Sequence, residues 1–198
     1  HGHSKGVLEA VNKAKQAFSD IDIIAGNVAT YEGAKALIDA GADGIKVGIG
    51  PGSICTTRVV TGVGVPQLTA IAEVCNIANN LKIPVIADGG VRFSGDIVKA
   101  FAGGADFVMI GGMLAGHDEC EGKVENGVME FYGMASESAM TRHSNHNDYR
   151  GTEGKTVEVE YRGKVNDTIK DILSGVRSAC TYVGANKLKD LSKCTTFV

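Results

Sequence analysis

The chain has 198 residues, of which 43% are apolar and 22% charged, with a formal net charge of −3. This is enough chain for one domain with a sizeable core, and the charge balance argues against a surface built for nucleic acid or anionic membrane. No apolar run approaches the roughly 20 residues of a membrane span and no signal peptide is visible, while the opening His1-Gly2-His3-Ser4 reads as the interior of a longer protein.

Ser4 is placed to cap a helix whose apolar positions Val7, Leu8, Val11, Ala14 and Phe18 follow a period near 3.6. Residues 21–28 form a short apolar run ending in Gly26-Asn27 and predict a strand. Thr30 then caps a second helix that buries Ala34, Leu37 and Ile38, and residues 45–49 predict the next strand. A third helix is expected over residues 67–81, with Leu68, Ile71, Ala72, Ile77 and Ala78 inward. Residues 84–87 predict a strand ending at Asp88-Gly89-Gly90, Ser94 a helix start running to about Ala102, and residues 107–110 a fourth strand. Short apolar runs alternating with amphipathic helices are the pattern of β/α units on a parallel sheet. After Gly116 the pattern breaks. Residues 117–163 are polar and rich in glycine, the composition of a lid or binding loop. A last helix begins near Asn166, with Ile169, Ile172, Leu173 and Val176 on one face.

Each polar or glycine-rich motif falls just past the C-terminal end of a predicted strand. In a (β/α)8 barrel that face carries the active site, often with a phosphate site after the last two strands. Only four units are visible, whereas a full barrel usually takes about 250 residues. The cysteines Cys55, Cys75, Cys120, Cys180 and Cys194 are odd in number, widely spaced and without a Cys-x-x-Cys pair. They predict free thiols in a reducing compartment, and neither a disulfide framework nor a structural zinc site. His143 and His146 form a His-x-x-His pair with no further ligand suitably spaced, and read as polar loop.

The segment Gly48-Ile49-Gly50-Pro51-Gly52-Ser53-Ile54-Cys55-Thr56-Thr57-Arg58 carries the most chemistry. Its glycines allow tight turns and close approach to a ligand. A cysteine among hydroxyls and amides is placed to react as a nucleophile, and a cysteine that simply packs behind a strand is the competing reading.

This segment, followed by Gly62-Val63-Gly64-Val65-Pro66-Gln67, resembles the catalytic loop of the IMP dehydrogenase / GMP reductase family. Asp88-Gly89-Gly90 and Gly111-Gly112-Met113-Leu114-Ala115-Gly116 match the same family in order and spacing, over essentially the whole chain. The resemblance implies an α/β fold of the (β/α)8 type. Residues 1–198 would be a single catalytic barrel domain lacking its N-terminal half: four β/α units, a flap insertion over residues 117–163 and C-terminal helices.

It further implies that Cys55 attacks a purine ring, with Thr57 and Glu153 handling the protons of a departing amine. The flap stretch Asp148-Tyr149-Arg150-Gly151-Thr152-Glu153-Gly154 is similar to that of the family's reductase branch, which converts GMP to IMP and ammonia with NADPH. Gly116-His117-Asp118-Glu119 and Cys180-Thr181-Tyr182-Val183-Gly184 point the same way. The residues 1–4 and 85–93, and Ala135 in place of a serine common in reductases, are closer to the alternative, NAD-dependent oxidation of IMP to XMP. An inactive half-barrel needing a partner chain is the reading from another class.

By the same resemblance Ser53, Asp88, Gly89, Gly90, Gly111, Gly112, Gly133, Met134, Ala135, Arg150, Gly151, Thr152, Glu153 and Gly154 would bind the mononucleotide. Asp88 would accept from the ribose and the glycine turns would offer N–H groups to the phosphate. Ile49, Gly50, Met134, Tyr149, Arg150, Ser178, Ala179, Cys180 and Thr181 would contact NADP(H), or NAD in the alternative. Gly50, Gly52, Cys55 and Arg58 would form a site for a monovalent cation, K+. The implied assembly is a cytoplasmic homotetramer.

Overall fold

The computed structural model describes residues 2–133, 136 and 152–198. In chain order the elements are α1 Lys5–Ala17, β1 Ile24–Val28, α2 Tyr31–Asp39, β2 Gly44–Val47, α3 Thr57–Thr61, α4 Gln67–Ala78, β3 Val85–Asp88, α5 Ser94–Ala102 and β4 Phe107–Met109. After them come β5 Val128–Tyr132, β6 Thr156–Glu160, α6 Asn166–Val183 and α7 Leu191–Cys194. Strands β1 to β4 form one parallel sheet in sequence order, so β1 and β4 are its edges. Parallel neighbours need a crossover, and α2, α4 and α5 supply it in turn.

The register decides which residues share a face. Ala25 pairs with Ile45 and Ile45 with Val85, while Val47 pairs with Val28 and Ala87. These side chains are buried together with Ala34 and Leu37 of α2 and Ala70, Ile71, Val74 and Ala78 of α4. The opposite face carries Ile24, Lys46, Ile86, Asp88, Phe107 and Met109 and is only partly covered, with Ile24 59% and Phe107 58% exposed. A smaller core of Ile97, Ile172 and Val176 joins α5 to α6. Gly175 is needed at that crossing, because a Cβ there would collide with Ser94 Oγ.

Thr30 caps α2 as its sequence predicts, its hydroxyl accepting from Gly33 N at 3.2 Å. Several expectations are corrected by packing. Phe18 lies past the end of α1 and is 59% exposed, and Ile21 precedes β1 rather than opening it. Ala72 is exposed, since α4 buries the stripe through Ala70, Ile71, Val74 and Cys75. Ser94 is the first residue of α5 and makes no cap bond; Asp96 takes that role, its carboxylate accepting from Arg92 N and Phe93 N. Ile169 and Leu173 of α6 are exposed, while Ile172 and Val176 are buried.

The polar stretch after Gly116 contains the antiparallel hairpin β5–β6, paired from Val128↔Glu160 to Tyr132↔Thr156. The alternation in Thr-Val-Glu-Val-Glu and the apolar and aromatic residues of Val-Met-Glu-Phe-Tyr were the available signal. Its base is tied to the body by His117, 1% exposed, whose Nδ1 lies 3.1 Å from Gly163 O, and by Arg162 N donating to Gly116 O.

Candidate active site

The chain leaves β2 through Gly48, at φ 139°. A Cβ at that position would collide with the Asp88 carbonyl oxygen, so the ends of β2 and β3 come together only because residue 48 has no side chain. Arg58 then clamps the loop. Its stem lies between Gly50 and Gly64, where a Cβ on either would meet its Cγ, its Nε donates to Ile49 O at 3.0 Å and its Nη2 to Val65 O. The short helix α3, not anticipated from sequence, lifts Thr57 beside Cys55.

Cys55 Sγ donates to Thr57 Oγ1 at 3.1 Å, and Thr57 Oγ1 donates to Glu153 Oε2 at 2.7 Å. Backbone pairing holds the two distant segments in register: Thr56 N donates to Glu153 O and Lys155 N to Ile54 O, each at 3.0 Å. Gly154 bridges to both Cys55 and Ser136, and Gly133 N donates to Lys155 O at 3.2 Å. Thr152 is exposed at the edge of this cluster. The arrangement is a thiol, a hydroxyl and a carboxylate in one hydrogen-bonded row, able to pass a proton between sulfur and carboxylate.

Asp88 ends β3. Its Oδ2 pairs with Lys46 Nζ at 2.7 Å and accepts from Asn27 Nδ2 at 3.0 Å. Asn27 Nδ2 also donates to Gly48 O at 2.8 Å, and Gln67 Nε2 donates to Val47 O and Asp88 O, both at 3.1 Å. Gly89 and Gly90 have φ of 91° and 81°, and a Cβ at Gly89 would meet Pro51 Cγ. A Cβ at Gly112 would lie 3.4 Å from Ser53 Oγ, while the surroundings of Gly111 are open. The loops after β2, β3 and β4 thus converge, and a cavity of about 260 Å3 opens there between Ser53, Gly112, Phe131, Arg92 and Arg162.

Other expected site residues stand apart. Met134, Ala135, Tyr149, Arg150 and Gly151, like His143 and His146, lie outside the described residues. Ser178 and Thr181 are exposed on α6, Cys180 packs against the α5–α6 core, and among the described residues no hydrogen bond joins residues 178–181 to the Cys55 loop. Of the expected cation ligands, Gly52 O accepts from Cys55 N and Arg58 O from Gly62 N, each at 3.1 Å. The Arg58 guanidinium is itself a cation and a donor, so only its carbonyl could face an ion.

Cys75 behaves as a packing residue: burial, with the Asp106 charge behind it, pushes its thiol up to about 12. Among the described residues no group of three or more His, Cys, Asp and Glu is gathered as for a metal. Asn27, Lys46 and Gln67 were missed from sequence. Lys46 carried a signal as the one charge inside an apolar strand, and Gln67 as the last residue of the motif that follows the cysteine loop.

Fold and site together define the class. The chain belongs to the IMP dehydrogenase / GMP reductase domain family, whose sequence model matches residues 1–198. It is 57% identical over 203 aligned residues to a protein named GMP reductase from Yersinia enterocolitica, and 56% identical to one of the same name from Yersinia pestis. Each alignment covers 100% of this chain and 58% of the relative. Among solved structures, a cysteine-to-alanine variant of GMP reductase from Trypanosoma brucei in complex with guanosine 5′-monophosphate matches with a TM-score of 0.92 at 43% identity, over 100% of this chain and 43% of that one. The chain therefore spans less than two thirds of the length of these relatives.

Proposed function

We propose that the chain is the catalytic part of a GMP reductase, converting GMP to IMP and ammonia. The observation that carries this reading is the row Cys55–Thr57–Glu153, whose members lie side by side in the fold although Thr57 and Glu153 are 96 positions apart in sequence. The thiol proton moves through the Thr57 hydroxyl to the Glu153 carboxylate as sulfur bonds to carbon 2 of the purine. The protonated carboxylate then returns a proton through Thr57 to the exocyclic amine, which leaves as ammonia because an amine departs only once protonated. The covalent adduct is a thioimidate, and release of the thiolate follows its reduction at carbon 2. NADPH, when bound, supplies the hydride for that reduction.

Asp88 accepts from the ribose hydroxyls, and the turns at Gly89, Gly90, Gly111 and Gly112 with Ser53 surround the 5′-phosphate. Ile49, Gly50, Gly133, Met134, Ala135, Tyr149, Arg150, Gly151, Thr152 and Gly154 complete the nucleotide and nicotinamide contacts. The exposed positions Ser178 and Thr181, with Ala179 and Cys180, suit a dinucleotide lying across a neighbouring subunit's site, which fits a homotetramer. The carbonyls of Gly50, Gly52, Cys55 and Arg58 are hard oxygen donors of the type K+ takes. The four β/α units supply half of a (β/α)8 barrel, whose remaining strands would cover the face carrying Ile24, Phe107 and Met109. Free cysteines throughout fit a reducing, cytoplasmic setting.

The test is incubation of the protein with GMP and NADPH. Ammonia release matched to NADPH consumption supports the reading. Turnover with IMP and NAD instead assigns the chain to the dehydrogenase reaction, and undiminished turnover by a Cys55→Ser variant refutes the covalent step.

A further inference from the structure

Asp88 is held by an asymmetric set of partners. Lys46 Nζ at 2.7 Å and Asn27 Nδ2 at 3.0 Å both bind Oδ2. Among the described residues Oδ1 takes part in no hydrogen bond or ion pair, and the Asp88 side chain remains 25% exposed. An ionised carboxyl is acceptor-only, with lone pairs on both oxygens. Tying one oxygen to two donors on β1 and β2 therefore fixes the plane of the group and leaves the other oxygen as the only acceptor offered to the site.

The donors are themselves fixed. Asn27 Nδ2 also donates to Gly48 O at 2.8 Å, so its amide bridges the catalytic loop to Asp88. Lys46 sits opposite Ile86 in the β2–β3 register, on the face that Asp88 shares, and its Nζ lies 3.7 Å from Met109 Sδ. Gln67 pins the Asp88 main chain from the other side through its carbonyl. Backbone, plane and ion-pair partner of Asp88 are thus set by three residues on three different elements.

From this we infer that Lys46 and Asn27 are positioning residues which make the site read a ribose diol, selecting ribonucleotides over 2′-deoxyribonucleotides. The inference rests on the proposal that Asp88 faces the sugar, and goes beyond it by naming the residues that give Asp88 its selectivity. A site built to hydrogen-bond a substrate hydroxyl rejects the analogue lacking it, because its own polar group is left without a partner. That rejection requires a carboxylate that cannot turn away. With Oδ2 released, Asp88 can rotate and satisfy itself with water, and the penalty for the missing hydroxyl falls.

Affinities for GMP and 2′-deoxy-GMP are to be measured by calorimetry on the protein and on Lys46→Met, Asn27→Ala, Lys46→Arg and Asp88→Asn variants, with thermal unfolding as the check on folding. The unsubstituted protein should prefer GMP by about tenfold or more. Lys46→Met and Asn27→Ala should compress that ratio to about threefold or less, and Lys46→Arg, which keeps a donor and the charge, should restore most of it. A purely structural role would weaken both ligands equally and leave the ratio unchanged. An unchanged ratio in Lys46→Met and Asn27→Ala, while Asp88→Asn loses it, overturns the positioning role and leaves the nucleotide site standing. An unsubstituted protein that binds GMP without sugar discrimination overturns the inference too, and one that binds neither ligand overturns it together with the proposed function.

Discussion

Replacing Thr57 by Val removes one hydroxyl and almost no volume. Among the described residues that hydroxyl alone links Cys55 Sγ, 3.1 Å away, and Glu153 Oε2, 2.7 Å away. The backbone ties that align the two segments, Thr56 N to Glu153 O and Lys155 N to Ile54 O, do not involve it and stay in place. The loss therefore falls on proton transfer and not on geometry. A positioned acid–base group contributes about 10²- to 10⁴-fold in rate, so GMP-dependent NADPH oxidation should fall by that factor. Stability should fall by only about 1 kcal/mol, the net worth of a hydrogen bond in a part-exposed site, or roughly 2–4 °C in Tm for a chain of this size. Thr57→Ser keeps an oxygen in reach of both partners and should recover to within about tenfold of the original rate. The assay is steady-state NADPH oxidation at saturating GMP, with a single-turnover experiment that follows the protein–purine adduct by intact mass. A Thr57→Val protein that turns over within about threefold of the original would refute the relay, whatever its stability.

Gly48→Ala should destabilise the protein by about 1–3 kcal/mol or more, because φ is 139° and the added Cβ meets the Asp88 carbonyl oxygen; a urea midpoint equal to the parent's would contradict the close β2–β3 approach. The Asp43 carboxyl is held below its ordinary value, first by the hydrogen bond from Lys15 and next by Ile23 N. Its folded pKa is depressed, so its contribution is fully present above the unfolded value of about 3.9 and is lost as pH falls through the folded value. Asp43→Asn should therefore be slightly less stable at pH 7, by less than about 1 kcal/mol for a part-exposed pair, and the difference should shrink in urea melts as pH falls below the unfolded value of about 3.9. Cys75, with its thiol near 12, should resist iodoacetamide at pH 8 until the protein unfolds, whereas the exposed Cys194 should react in the folded state; simultaneous labelling of both would show that α4 does not shield its thiol.

Much of the candidate site could be read in advance because its residues are local in sequence. Residues 48–58 announce a glycine-rich turn with a thiol, and Asp88-Gly89-Gly90 and Gly111-Gly112 announce the turns after β3 and β4. Catalytic roles for Cys55, Thr57 and Glu153 were expected only from the family resemblance, and the structure sets the three in hydrogen-bond contact at 3.1 and 2.7 Å. Ser178 to Thr181 were expected near the cofactor, and the structure brings them to no contact with the Cys55 loop among the described residues. The hairpin β5–β6 is hidden in the sequence because glycines and charges dominate the composition of residues 117–163, and of its two five-residue runs only Thr-Val-Glu-Val-Glu alternates with period two.

What the sequence determined by itself is whatever depends on neighbours along the chain: the amphipathic helices, the Thr30 cap, the apolar strands and the parallel α/β class that their alternation demands. Those features follow from periodicity and from side chains reaching their own backbone, interactions only a few residues long. Tertiary structure decided the rest, since it depends on groups far apart in sequence. The β2–β3 register puts Lys46 and Asp88 on one face, 2.7 Å from each other, and β1 adds Asn27 to the same carboxylate. Helix packing left Ala72, Ile169 and Leu173 outside while taking Cys75 in. A one-residue change of register would turn Lys46 into the core, and burial of Ile45, Val47, Val85 and Ala87 on one face of the assembled sheet specifies against it.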